Sequence, residues 1–169
     1  MAEPAASIVG IPRAALSILR VHGEPNEPLA ALGRRLGLNW PLAPGMADGG
    51  TVSVLWLSPR DWLIAGPVLE TDVAAALTDV VHHLTDASDQ LAGFDLCGPL
   101  ARDLAAAGCS LDLHLRMFPP GACAVTQLAG LPVVLQALQS PPDLRIYVDV
   151  SLAHWLGDWL TDAADGLRP

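Results

Sequence analysis

The chain has 169 residues, half of them apolar, with 18 acids against nine arginines and no lysine, for a formal net charge of −9. That length suits one domain with a sizeable core, while the acidic balance argues against nucleic-acid binding, which needs a basic face. The missing lysine excludes a Schiff base or a P-loop, and no run of about 18 apolar residues escapes interruption by charge, Gly or Pro, so no transmembrane helix is expected.

The first strand is expected at about Ala14 to Val21, leaving 1–13 as a flexible lead-in. Asn26 then caps a helix through about Leu36, with Leu29, Leu32 and Leu36 on one stripe, Arg34 and Arg35 in the last turn and Gly37 as the stop. Pro41 to Gly50 reads as a turn-rich loop. Thr51 to Leu57 and Trp62 to Ala65 form a β-hairpin around Ser58-Pro59-Arg60-Asp61. A second helix is predicted from about Thr71 to His83, with Val73, Ala76, Leu77, Val80 and Leu84 on one face.

The second half follows a similar order. Gln90 to Leu96 is a strand, and a helix follows with Gly98 as its cap, Pro99 in the first turn and Gly108 at its end. Gly121 to Leu128 and Pro132 to Gln139 are strands joined at Ala129-Gly130. Leu144, Ile146, Val148 and Val150 alternate with Arg145, Tyr147 and Asp149, which puts one face of that strand in the core. Ser151 caps a last helix carrying Leu152, Trp155, Leu156, Trp159 and Leu160 at helical spacing. The expected fold class is α+β: two fused ββ/α units, about 14–84 and 90–164, with mostly antiparallel sheets and packed helices in a single domain spanning 1–169.

Motifs for chemistry are sparse. Gly45, Gly49 and Gly50 lack G-x-G-x-x-G spacing, and neither G-x-S-x-G nor H-E-x-x-H occurs. Cys97, Cys109 and Cys123 have no C-x-x-C spacing and read as free buried thiols. His82 and His83, adjacent on a helix, point roughly 100° apart and cannot easily share a metal; near a helix C-terminus they suit the dipole. His114 reads as a hydrogen-bonded structural histidine or, less readily, a base, and His154 faces outward. Fourteen aspartates leave acid/base catalysis open, although most fall in turns or on exposed faces. No catalytic, cofactor-binding or metal-binding residue is therefore assigned. Five tryptophans against two Phe and one Tyr keep an interface in view. The candidates are Trp56, Arg60 and Trp62 around the hairpin turn and Trp155 and Trp159 on the last helix, each tryptophan alternatively a core residue.

One run, Phe94-Asp95-Leu96-Cys97-Gly98-Pro99-Leu100-Ala101-Arg102-Asp103-Leu104, resembles the strand–Gly-Pro-x-Ala–helix passage of the glycine-cleavage aminomethyltransferase superfamily. Gly108-Cys109-Ser110-Leu111-Asp112-Leu113-His114, then Phe118-Pro119-Pro120-Gly121 and Thr126-Gln127-Leu128, resemble the gamma subunit of heterotetrameric sarcosine oxidase. So do Leu57-Ser58-Pro59-Arg60-Asp61-Trp62-Leu63 and His154-Trp155-Leu156-Gly157-Asp158-Trp159-Leu160. The resemblance spans about Val52 to Ala164.

It implies an aminomethyltransferase folate-domain-like fold and a non-catalytic accessory subunit. Its complex would oxidatively demethylate sarcosine to glycine, passing the one-carbon unit to tetrahydrofolate or releasing formaldehyde. FAD, FMN, NAD, tetrahydrofolate and zinc would then sit in alpha, beta and delta partner subunits, and no cofactor in this chain. Folate-using relatives carry aspartates in the turn that here reads Gly130-Leu131-Pro132-Val133-Val134, with no acid. An often arginine-containing lead into the last helix is replaced by Val150-Ser151-Leu152. The alternatives are a stand-alone folate-dependent one-carbon transferase and a folate-sensing module. The opening Met1-Ala2-Glu3-Pro4 lacks the basic flank of a secretory signal, and a cytoplasmic location is expected.

Overall fold

A computed structural model describes residues 6–11, 14–139 and 141–167. In chain order its elements are β1 (Ser7–Ile11), β2 (Leu16–Val21), α1 (Asn26–Leu36), β3 (Ala47–Gly49), β4 (Ser53–Ser58), β5 (Asp61–Ala65) and α2 (Glu70–Ala76). Then come β6 (His82–Asp86), β7 (Leu91–Cys97), α3 (Ala101–Ala106), β8 (Cys123–Leu128), β9 (Leu131–Ala137), β10 (Leu144–Asp149), a 3-10 turn (Val150–Leu152) and α4 (Ala153–Gly166). The class is mixed α+β, with two antiparallel five-stranded sheets. No helix among the described residues is long and apolar enough to cross a membrane.

The chain divides into two compact units, Ala14–Ser88 and residues 89–167 together with β1. In the first, the sheet order is β3-β4-β5-β2-β6. Leu19 and Val21 of β2, Val54 of β4 and Trp62 and Ile64 of β5 share a core with Leu29 and Leu32 of α1 and Val73 and Leu77 at α2. Both helices therefore cover one face of the sheet. Gly37 ends α1 as expected: its φ of 73° is left-handed, and Leu38 N donates to Gly33 O at 3.0 Å. Asn26 is the first helical residue rather than the cap, and the preceding Pro25 carbonyl accepts from Leu29 N.

The second predicted helix is corrected. It stops at Ala76, where the Thr78 hydroxyl bonds the Ala74 and Ala75 carbonyls. His82 and His83 lie on β6, antiparallel to β2, so they complement no helix dipole. Val80 and Leu84 still pack on the core that the helical stripe foresaw. Leu84 does so from β6, and Val80 from the turn before it, where its N–H bonds the Leu77 carbonyl at 2.9 Å. Pairing with the free edge of β2 takes residues 82–86 out of the helix. The Pro41–Gly50 loop likewise contains a short strand, β3, paired with β4.

The second unit's sheet has the order β1-β7-β10-β9-β8. Leu96, Leu135, Leu144, Ile146 and Val148 line the face that meets Leu104 of α3 and Leu156 and Leu160 of α4. Written the other way round, this order repeats the first unit: an opening strand, a helix, a three-stranded meander whose last strand returns to the opening one, and a second helix. The fifth position, filled by β6 after α2 in the first unit, is filled here by β1 from the chain start, with Ile8 opposite Leu96. The expected flexible lead-in is thus corrected for Ser7–Ile11; residues 1–5, 12 and 13 lie outside the described set.

Two further caps differ from expectation. Leu100, not Gly98, precedes α3, though the Gly98 carbonyl accepts from Ala101 N. Asp149, not Ser151, caps the 3-10 turn by accepting from Ser151 N at 2.9 Å. Val150 belongs to that turn and is exposed, whereas Tyr147, on the face expected to be polar, is buried.

The β8–β9 hairpin turns at Ala129 (φ 52°) and Gly130 (φ 81°), both in the primed-turn region that matches strand twist. An alanine there is strained by its Cβ. Ala129→Gly is expected to raise stability by roughly 0.5–1 kcal/mol, seen as about 2 °C in Tm.

Candidate interaction surface

The hairpin tryptophans pair across β4 and β5, Trp56 opposite Trp62, on the helix-covered face. Trp62 is 2 % exposed, its Nε1 donates to the Pro41 carbonyl at 2.7 Å, and its ring meets Trp40 at 5.8 Å with a 60° tilt. It cannot reach a partner, and this corrects its place among the interface candidates. The turn itself is two residues long, so little separates Trp62 from the sheet interior. Trp56 is half-buried against the same core. Arg60 stands exposed at the tip, where its backbone N–H meets Ser58 Oγ.

Beside it, Asp61 takes hydrogen bonds from Arg20 Nε at 2.6 Å and Ser58 Oγ at 2.7 Å. Burial alone would raise the Asp61 carboxyl, but those bonds and the Arg20 charge hold it below the usual carboxylate range.

The last helix separates its two tryptophans. Trp159 packs on the core, and a Cβ built on Gly108 would come within 2.6 Å of its ring. Gly108 is therefore needed for close approach rather than as the end of α3. Trp155 is 50 % exposed and remains available to a partner. His154, also exposed, lies 3.6 Å from Asp158.

Among the described residues, no group of three or more His, Cys, Asp or Glu is gathered as a metal site. The three cysteines are free thiols; burial first, then Asp95, pushes the Cys97 thiol up. On the sheet face away from α3 and α4, Arg145 forks onto Asp95 at 2.7 and 2.8 Å across the β10–β7 register. The Asp95 bonds raise the Arg145 guanidinium, and burial raises the Tyr147 hydroxyl beside it. This pair ties two strands together. The β8–β9 turn has no carboxylate within it or on its flanking strands.

The segment between α3 and β8 is a built loop that sequence reasoning missed as a surface. Cys109, Leu113 and Phe118 sink into the core. Arg102 Nη1 donates to the carbonyls of Leu113 (2.7 Å) and Phe118 (2.8 Å), stapling the two ends of the tip. Burial pushes the Arg102 guanidinium down, opposed by Asp143. Asp112 Oδ1 accepts from His114 N, His114 O accepts from Met117 N and Phe118 N, and His114 Nδ1 accepts from Arg116 N. His114 is thus a turn-former, hydrogen-bonded but exposed. Leu115 and Met117 project at 57 % and 67 % exposure, with Arg116 between them. A cavity of about 440 Å³ lies between α3 and this loop, lined by Arg102, Asp103, Ala106, Leu111 and His114 among others. The sequence signal was Leu115-Arg116-Met117 itself, apolar residues beside turn chemistry, which a periodicity search passes over.

Trp62→Ala is expected to destabilise the chain by about 3–5 kcal/mol in thermal or denaturant melts. For Asp61, an NMR titration should place the carboxyl midpoint below the ordinary value of about 3.9. The stability it contributes is complete above that unfolded value and is lost as pH falls through the lower folded midpoint. Asp61→Asn should therefore show a shallower acid loss of stability than the parent chain.

The family model for the sarcosine oxidase gamma subunit family matches residues 23–166. The sarcosine oxidase subunit gamma of an Arthrobacter species is 32 % identical over 145 residues, covering 80 % of this chain and 70 % of that one. The counterpart of Corynebacterium sp. strain P-1 is 31 % identical over 145 residues, with the same coverage. Among solved structures, a chain of the heterotetrameric sarcosine oxidase from Corynebacterium sp. U-96, in complex with pyrrole 2-carboxylate, aligns with a TM-score of 0.86 at 27 % identity, covering all of this chain and 88 % of that one. The glycine cleavage system aminomethyltransferase T of Bartonella henselae aligns with a TM-score of 0.61 at 12 % identity, over 92 % of this chain and 45 % of that one, and shares the fold alone. From its first helix to its last, this chain belongs to the sarcosine oxidase gamma subunit family.

Proposed function

We propose that the chain is an accessory, non-catalytic subunit of a sarcosine oxidase-type complex that oxidatively demethylates sarcosine to glycine in the cytoplasm. The single observation that carries this reading is its family membership, supported by full-length structural similarity to a chain of a heterotetrameric oxidase. Its partners are alpha, beta and delta subunits. FAD, FMN, NAD and tetrahydrofolate reside in the larger ones and zinc in the small one.

The residues support a role by contact. A turn that would orient a folate amine needs a carboxylate aimed at it, and the Ala129–Gly130 turn is flanked only by Leu128 and Leu131-Pro132. Without that group the chain cannot assist one-carbon transfer there electrostatically. The test is calorimetric titration of the purified chain with tetrahydrofolate, alongside reconstitution with the other subunits. Stoichiometric incorporation into the complex and no measurable folate binding are expected. Micromolar folate affinity would favour a folate-sensing module instead, and formaldehyde release from sarcosine by the chain alone would overturn the non-catalytic assignment.

A further inference from the structure

We infer that the stapled loop between α3 and β8 docks the chain onto an acidic, apolar-pocketed face of a larger partner subunit, with Leu115 and Met117 as anchors and Arg116 as the charged contact. This rests on the reading of the chain as a subunit and names the contact through which that role is exercised.

Rigidity is the first argument. The tip is bonded to itself through Asp112, His114, Met117 and Phe118, and Arg102 locks its two ends from beneath. A contact made by such a loop loses little conformational freedom on binding, which is the condition for useful affinity from a small area. Composition is the second. Leu113 and Phe118 already anchor the loop, so the fold gains nothing from large apolar side chains at 115 and 117, yet both are more than half exposed. Single exposed apolar residues are ordinary; two of them flanking an arginine on a fixed turn are the kind of group that concentrates binding energy.

Charge is the third, and it selects the partner. Arg20, Arg34, Arg35 and Arg145 each pair with a carboxylate, and Arg102 holds two carbonyls. Among the described residues, only the guanidiniums of Arg60 and Arg116 have neither kind of partner. In a chain of net charge −9, an arginine left free between two exposed apolar groups is matched by a partner's carboxylate. The patch at Val150 and Trp155 offers no such selection, because the neighbouring His154 already lies near Asp158.

The test is binding of the full chain to the purified larger subunits of its complex, comparing wild type with Leu115→Asp, Met117→Asp, Arg116→Gln and Arg116→Lys. Each side chain is exposed, so melting temperatures should match wild type. Leu115→Asp and Met117→Asp should bind at least about tenfold more weakly. Arg116→Gln should flatten the salt dependence of binding, which Arg116→Lys should retain. If wild type binds and all variants bind equally well, the loop assignment falls while the subunit reading stands. If wild type does not bind, both fall. A wild-type homodimer that Leu115→Asp makes monomeric would assign the loop to self-association, and a lowered melting temperature in the tip variants would assign it to the fold; either overturns the inference.

Discussion

Each sheet depends on one long-range closure, in which the last strand of a meander returns to the unit's opening strand, and both closures carry an Arg–Asp pair in register. In the first unit Arg20 of β2 meets Asp61 of β5; in the second Asp95 of β7 meets Arg145 of β10. The charges are reversed between the units but the strand pair is equivalent. The first pair has a largely exposed arginine and contributes little energy. The second is forked and more enclosed, which adds geometric specificity to its strength. Their common consequence is register. A slip of one residue would turn every inward side chain outward, and both helices of each unit pack on the inward set.

From that closure the rest of the architecture follows. With five strands in place and two helices on one face, each unit has a continuous apolar layer, and its loops are free to vary. In the first unit, the short β4–β5 turn keeps Trp62 in the core and leaves Pro59 and Arg60 at the tip. In the second, the segment after α3 is long enough to leave the sheet, and Arg102, Leu113 and Phe118 recapture it. The loop that emerges is hydrogen-bonded to itself and held at both ends by Arg102. A subunit that acts by contact needs this combination: a surface that protrudes, and a scaffold that keeps it from yielding.

Local chemistry in the sequence determined several elements outright. The leucine stripe and Gly37 define α1, Ala129-Gly130 defines a hairpin, and the alternation from Leu144 to Val148 defines an inner strand, because each signal is contained within a few residues. The order of short motifs along the chain was also enough for the family, although no motif alone carried it. Tertiary structure alone decided the rest. β1 exists because a sheet edge more than eighty residues away has an open fifth position, and Leu84 lies on a strand because β2 offers an edge that outcompetes a helix. Trp62 and Trp155 look equally ambiguous in sequence, yet one is nearly enclosed and the other half exposed. Burial is set by neighbours brought from distant parts of the chain, and no local pattern encodes it. For the same reason Leu115 and Met117 could not be told from core residues until Arg102 was seen to hold the loop that displays them.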